Sequence, residues 1–126
     1  MSANDVQKIA SNLKLLNAAE DRKCSDRRAR AQQAGQRAAQ SIGAADPAIL
    51  RVWGFGSTWE TWRNYRMDSD IDLGLEGGDW SHAVSSLWNR PSARQYEFSL
   101  VSLDEQPQTV SDLVKKNGVI LYEKKQ

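Results

Sequence analysis

From Ile71 to Leu75 the chain alternates without a break. Ile71, Leu73 and Leu75 fall on one side of an extended backbone, and Asp70, Asp72, Gly74 and Glu76 fall on the other. A period of two residues belongs to a strand and is incompatible with a helix. Gly77-Gly78 then turns the chain. Such a strand must lay its aliphatic face on a core while two carboxylates share the opposite face at its head. Like charges placed together repel. Asp70 and Asp72 therefore either cap a turn at a solvated strand end or hold something positive.

The rest of the chain supplies what this strand needs. Residues 49–55 are rich in strand formers and end at Gly54-Phe55-Gly56. Residues 96–103 predict a third strand and residues 119–122 a last short one. Two short helices are expected between them. The first covers residues 80–88, with Val84, Leu87 and Trp88 inward. The second covers residues 108–117, with Val110, Leu113 and Val114 on its face and Gly118 at its end. A further short helix is expected at residues 57–63, because Ser57 and Glu60 have capping-box spacing.

The first third is different in kind. Rich in Ala, Gln, Arg and Ser, it offers little bulk for a core. Val6, Ile9, Leu13 and Leu16 make one apolar stripe over residues 4 to about 20, with Asn4 or Ser2 as cap. A second helix with Ala31, Ala34, Ala38 and Ile42 on one edge follows, stopping at Gly43 or before Asp46-Pro47. One continuous helix through residues 20–26 is the alternative. The expected organisation is thus an N-terminal helical segment, residues 1–44, and an α+β domain, residues 45–126. The N-terminal stripe would mediate homo-oligomerisation or pack on the domain.

With 126 residues, one compact domain is expected. The net charge of +1 gives no global attraction to nucleic acid or to an anionic membrane. The local basic run of Arg22, Lys23, Arg27, Arg28 and Arg30 reads as a solvated helix face. Cys24 is the single cysteine, so no intrachain disulfide forms, and a reducing, cytoplasmic location fits. No apolar run has the length of a signal peptide core or a bilayer span. His82 stands apart from Cys24 and is given no role.

The chemistry lies between residues 51 and 78. A glycine after a strand lets backbone N–H groups approach a ligand, and a helix start at Ser57 would favour an anion there. Carboxylates two residues apart on a strand lie about 6–7 Å apart along the backbone. Their oxygens can converge on Mg²⁺, which takes one or two carboxylates and completes its shell with phosphate oxygens and water. A phosphate-cradling turn followed by a metal-binding pair on the neighbouring strand is the layout for phosphoryl chemistry on a nucleoside triphosphate.

These residues, "FGS" at Phe55-Gly56-Ser57 followed by "SDIDL" at Ser69-Asp70-Ile71-Asp72-Leu73, resemble the signature of the DNA polymerase β nucleotidyltransferase superfamily. They are similar above all to its minimal nucleotidyltransferase branch, as is the ending at residues 101–123. The resemblance covers about residues 45–123. It implies a small mixed β-sheet with helices mainly on one face. It also implies transfer of a nucleoside monophosphate, AMP in the first instance, from an NTP to an acceptor hydroxyl. Gly56 and Ser57 would hold the triphosphate, and Asp70 and Asp72 would ligate Mg²⁺. Such proteins resemble antitoxins that pair with helical HEPN-type toxins and adenylylate a tyrosine on them.

The sequence departs from the family pattern twice. The third carboxylate, expected on the next strand, aligns with Ser99, which is a poor Mg²⁺ ligand and no general base near neutral pH. Glu97, two residues earlier on the same strand face, either reaches part of the way as a substitute or is solvated at the rim. The usual glycine and basic residue after "GS" are also replaced, by "TWETWRNYRM". In that stretch Arg63 and Arg66 could contact phosphates. Trp59, Trp62 and Tyr65 could cover a base or a partner, with core packing the better reading of at least one tryptophan. The alternative to an enzyme is therefore a module that binds nucleotide or protein without efficient catalysis.

Overall fold

A computed structural model describes residues 3–89 and 95–125. Helix α1 (Ala3–Ala45) runs unbroken through the basic stretch, as the one-helix alternative required. At 1.5 Å per residue it is about 65 Å long. Asn4 lies inside this helix rather than capping it, and Ser2, the other candidate cap, is outside the described residues. Gly43 does not stop the helix. Its missing side chain makes room for the ring of Tyr122, which a Cβ there would overlap.

Four strands follow: β1 (Ile49–Phe55), β2 (Ile71–Gly77), β3 (Phe98–Ser102) and β4 (Val119–Glu123). Their order in the sheet is β3-β2-β1-β4. β1 is antiparallel to both β2 and β4, whereas β2 and β3 are parallel. The parallel pair requires a crossover, and α2 (Trp80–Trp88) lies within it. After β3 a single 3₁₀ turn (Leu103–Glu105) leads into α3 (Gln108–Asn117). The fold is the α+β mixed sheet expected from the sequence.

The alternation of β2 sets the two faces of the sheet. Ile71, Leu73 and Leu75 are fully buried with Ile49, Val52 and Leu121, against Ala31, Ala38, Ala39 and Ile42 of α1 and Ala83 and Leu87 of α2. Most of the core therefore lies on this face. The small side chains of α1 let its backbone approach the sheet closely. On the opposite face a smaller cluster, Trp53, Leu103 and Val114, seats α3 with help from Phe55 and Val101.

Helix orientations differ from the sequence expectation in two places. In α2, Ala83 is buried while Trp88 is 70% exposed and points outward. In α3, Ser111 and Val114 are buried, whereas Val110 and Leu113 are exposed. The reason for the second is a hydrogen bond: Ser111 Oγ donates to the Leu103 carbonyl at 2.7 Å, which rotates the serine toward the sheet.

The N-terminal stripe does not pack on the domain. Residues 4–18 are all exposed, including Val6, Ile9, Leu13 and Leu16, and Ala31 is the first buried residue. The middle of the helix is different. Arg27 Nε donates to the Met67 carbonyl at 2.7 Å and its guanidinium stacks over Tyr96. Arg28 reaches the carbonyls of Thr58 and Glu60. Part of the basic run thus ties the loop at residues 56–70 to the helix, and is not the solvated face expected from its composition. Further along, Gln36 and Gln40 both donate to the Leu121 carbonyl, at 2.6 and 2.8 Å.

Candidate functional site

The site is built where β1 ends and β2 begins. Phe55 pairs with Asp72 across the antiparallel ladder, so the turn after β1 comes back beside the head of β2. Gly56 has φ +76, the left-handed region that favours glycine. A Cβ at Gly56 would collide with Oδ2 of Asp72, so that carboxylate packs directly on the glycine. The sequence-predicted phosphate turn and metal pair therefore meet in space.

The expected helix at residues 57–63 is absent. Consecutive turns replace it: the Gly56 carbonyl accepts from the N–H groups of Trp59 (3.1 Å) and Glu60 (2.8 Å), and the Glu60 carbonyl accepts from Arg63 N–H (3.0 Å). Packing overrides the capping signal. The Trp59 indole wedges between Gly35 of α1 and Gly54 of β1, where a Cβ on either glycine would overlap the ring. That pins residue 59 to the core and stops the segment from winding into a helix. Trp62 is 66% exposed and stays outside. The tryptophan pair divides accordingly, one in the core and one at the surface.

This turn is braced on three sides. Arg28 Nη2 donates to the Glu60 carbonyl at 2.8 Å, and Gln32 Nε2 donates to the Thr58 carbonyl at 2.8 Å. Thr58, wholly buried, donates its Oγ1 to the Asp70 carbonyl at 3.0 Å. The same residues that shape the turn thus fix the backbone of the first aspartate. Sequence reasoning missed Arg28, Gln32 and Thr58, because their partners are backbone carbonyls distant in sequence.

Glu60 was also missed as a site residue. Its side chain is 4% exposed and lies 3.4 Å from Arg63 Nε. Its carboxylate accepts a hydrogen bond from the Gly56 N–H. A capping-box spacing had marked Glu60, but its carboxylate reaches the glycine rather than a helix cap.

Asp72 is half-buried and Asp70 exposed. The Asp72 pKa is raised to about 6, first by loss of water around it, then by the negative charges of Asp70 and Glu60, with Arg63 opposing. A carboxyl raised by two neighbouring carboxylates is one that a cation would return to the charged form. Among the described residues no group of three or more His, Cys, Asp or Glu side chains is arranged to hold a metal. Asp70 and Asp72 are two carboxylates, the number Mg²⁺ takes where phosphate oxygens and water fill the rest of its shell.

The parallel ladder pairs Asp72 with Ser99. The position expected for a third carboxylate does lie beside the second aspartate, and it carries a hydroxyl. Glu97 is exposed, just before β3, and its carbonyl accepts from Ile71 N–H at 2.8 Å. Arg63 is drawn to Glu60. Arg66 is exposed in the turn before Asp70, where its N–H donates to Ser69 Oγ at 2.9 Å. His82 stands at the other end of β2, 3.9 Å from Asp46. Asp46 accepts from the N–H groups of Asp79 and Ala48, which hold its pKa below the usual range. No described helix is long and apolar enough to cross a membrane.

No protein-family model matches the chain, and no curated protein matches it. Solved structures do. A toxin–antitoxin crystallised with AMP-PNP superposes with a TM-score of 0.55 at 19% identity, over 71% of this chain and 73% of that one. A mutant of the toxin–antitoxin MntA-HpeT, with two aspartates two positions apart changed to glutamate, gives 0.52 at 18% identity, over 68% and 69%. At this identity the likeness establishes the fold alone: the α+β mixed sheet with its long N-terminal helix is shared with these structures.

Proposed function

We propose that the protein is a Mg²⁺-dependent nucleotidyltransferase: an acceptor hydroxyl gives up its proton and bonds the α-phosphorus of an NTP, ATP in the first instance, as the bond to the β-phosphate breaks and pyrophosphate leaves. The observation that carries this reading is the packing of the Asp72 carboxylate on Gly56, which joins the carboxylate pair to the glycine turn. Asp70 and Asp72 would hold the ion. Mg²⁺, when bound, would neutralise phosphate charge and draw the acceptor oxygen toward the α-phosphorus. Gly56 and Ser57 would take phosphate oxygens through backbone and hydroxyl donors. Arg63 and Arg66 would add positive charge at the mouth of the loop. Glu97, beside the backbone of Asp70, would be the nearest substitute for the carboxylate missing at Ser99.

The biological role we propose is that of an antitoxin acting on a helical, HEPN-type toxin. Its support is the shared fold with two toxin–antitoxin structures, one holding AMP-PNP and the other altered at an aspartate pair of the same spacing. Transfer of label from α-labelled ATP to a co-expressed helical partner, lost on Asp70→Asn, is the expected result. An absence of transfer to any partner from a folded protein that binds Mg·ATP would favour the second reading. That reading is a module that binds nucleotide or toxin without efficient turnover, and the pairing of Asp72 with Ser99 is the observation behind it.

A further inference from the structure

Glu60 occupies a position that the proposed reaction reserves for the substrate. The N–H of Gly56 is the backbone donor at the centre of the phosphate turn, and the Glu60 carboxylate already accepts its hydrogen bond. The same oxygen faces Arg63 Nε at 3.4 Å. One backbone N–H and one guanidinium on a single oxygen is how proteins hold a phosphate oxygen. The side chain is 4% exposed, so this anion is held within the turn and not merely resting on it.

The backbone of Glu60 is secured independently of its side chain. Its N–H donates to the Gly56 carbonyl at 2.8 Å, and its own carbonyl takes Arg28 Nη2 at 2.8 Å and Arg63 N–H at 3.0 Å. The carboxylate can therefore leave Gly56 while the turn keeps its shape. Its charge also bears on Asp72, on the other side of the glycine.

We propose that Glu60 is an internal competitor of the triphosphate: its carboxylate holds the Gly56 N–H and Arg63 in the free protein, and nucleotide binds by taking both from it. The inference rests on the nucleotidyltransferase reading of this site and adds how the site is regulated. Nucleotide affinity is then set by the exchange of one anion for another. The released Arg63 becomes available to the phosphates only when Glu60 has moved. The free protein is thereby held in a closed, low-affinity state without any lid.

The test measures binding of Mg·AMP-PNP by calorimetry to the full chain and to Glu60→Gln, with Asp68→Asn as a surface-charge control. Glutamine keeps the size and an acceptor oxygen for Gly56 but lacks the charge. The expected result is binding about tenfold tighter in Glu60→Gln, with Asp68→Asn within about twofold of the parent. If the parent binds and folded Glu60→Gln binds equally or more weakly, the competition is overturned while the nucleotidyltransferase reading stands. If neither binds, that reading fails and the inference falls with it. A second measurement needs no variant: the Gly56 amide resonance of the unsubstituted protein should move when Mg·AMP-PNP is added. An unmoved resonance at saturating nucleotide overturns the competition.

Discussion

Asp72 and Ser99 are partners in the parallel ladder between β2 and β3. A third carboxylate placed at residue 99 would stand next to the second, so the departure from the expected motif falls at the centre of the site. Ser99→Asp is expected to cost about 1 kcal/mol of stability in chelator, because like charges are forced together. Millimolar Mg²⁺ should restore that loss, and nucleotidyl transfer should rise. Thermal melts with and without Mg²⁺ and a label-transfer assay read both effects. A variant that is destabilised and indifferent to Mg²⁺ would show that residue 99 does not face the ion.

Asp70→Asn and Asp72→Asn should each lower transfer from α-labelled ATP by about 100-fold or more, since each removes half of the proposed donor set. The two should differ without metal. Asp72 lies between other carboxylates and Asp70 is exposed, so Asp72→Asn relieves the greater repulsion and should raise the melting temperature at neutral pH.

The pH dependence follows from the same carboxyl. Its folded-state pKa, about 6, lies above the ordinary 3.8, so the folded protein binds this proton more tightly than the unfolded chain does. The contribution of Asp72 to stability is therefore greatest below about pH 4. It declines as the pH rises from about 4 to about 6, and is flat above that. Asp72→Asn should remove this segment of the stability profile. Mg²⁺ needs the ionised form, so its affinity should fall about tenfold per pH unit below about pH 6. Metal titrations at pH 5, 6 and 7 check the sign (about tenfold across the range if Asp72 alone governs it, most of it between pH 6 and 5).

Gly43→Ala should destabilise the protein by about 1–3 kcal/mol, although alanine is the better helix former. The added Cβ would overlap the Tyr122 ring. Denaturant unfolding of the variant measures the loss. An increase in stability would mean that α1 and β4 are not packed at this distance.

Ile9→Ser with Leu13→Ser should change monomer stability by less than about 0.5 kcal/mol, because both side chains are exposed and touch no core residue. Sedimentation of the same variant tests the stripe. A stripe that joins copies of the chain will lose self-association on this change, with the melting temperature of the dilute monomer unaltered.

The legible parts of the sequence were those governed by short periods. The alternation of β2, the limits of β1, α2 and α3, and the meeting of the Gly56 turn with Asp70 and Asp72 all follow from patterns a few residues long. What escaped depended on contacts across the chain. Ser57 and Glu60 have helix-cap spacing, yet Trp59, gripped by Gly35 and Gly54, decides the conformation there. Arg28 looked like surface charge until a carbonyl 32 residues away gave it a partner. Val110 and Leu113 were expected inward on hydrophobicity, and one hydrogen bond from Ser111 set a different rotation. Glu60 itself was visible as a carboxylate but not as a neighbour of Gly56 N–H, since the turn that joins them is a tertiary product.

The two glutamine amides of α1 that converge on the Leu121 carbonyl have an effect beyond anchoring the helix. β4 is an outer strand, and an outer strand ordinarily offers a regular row of donors and acceptors to any extended chain that meets it. Here the pairing with β1 shifts register between Val52 and Trp53, and the carbonyl at that irregularity is already engaged by α1. That margin therefore presents one acceptor fewer to an incoming chain. The other outer strand, β3, is treated alike: its Leu100 carbonyl already accepts from Trp80 Nε1 of α2 at 2.8 Å, so a helix side chain occupies a backbone acceptor on each outer strand of the sheet.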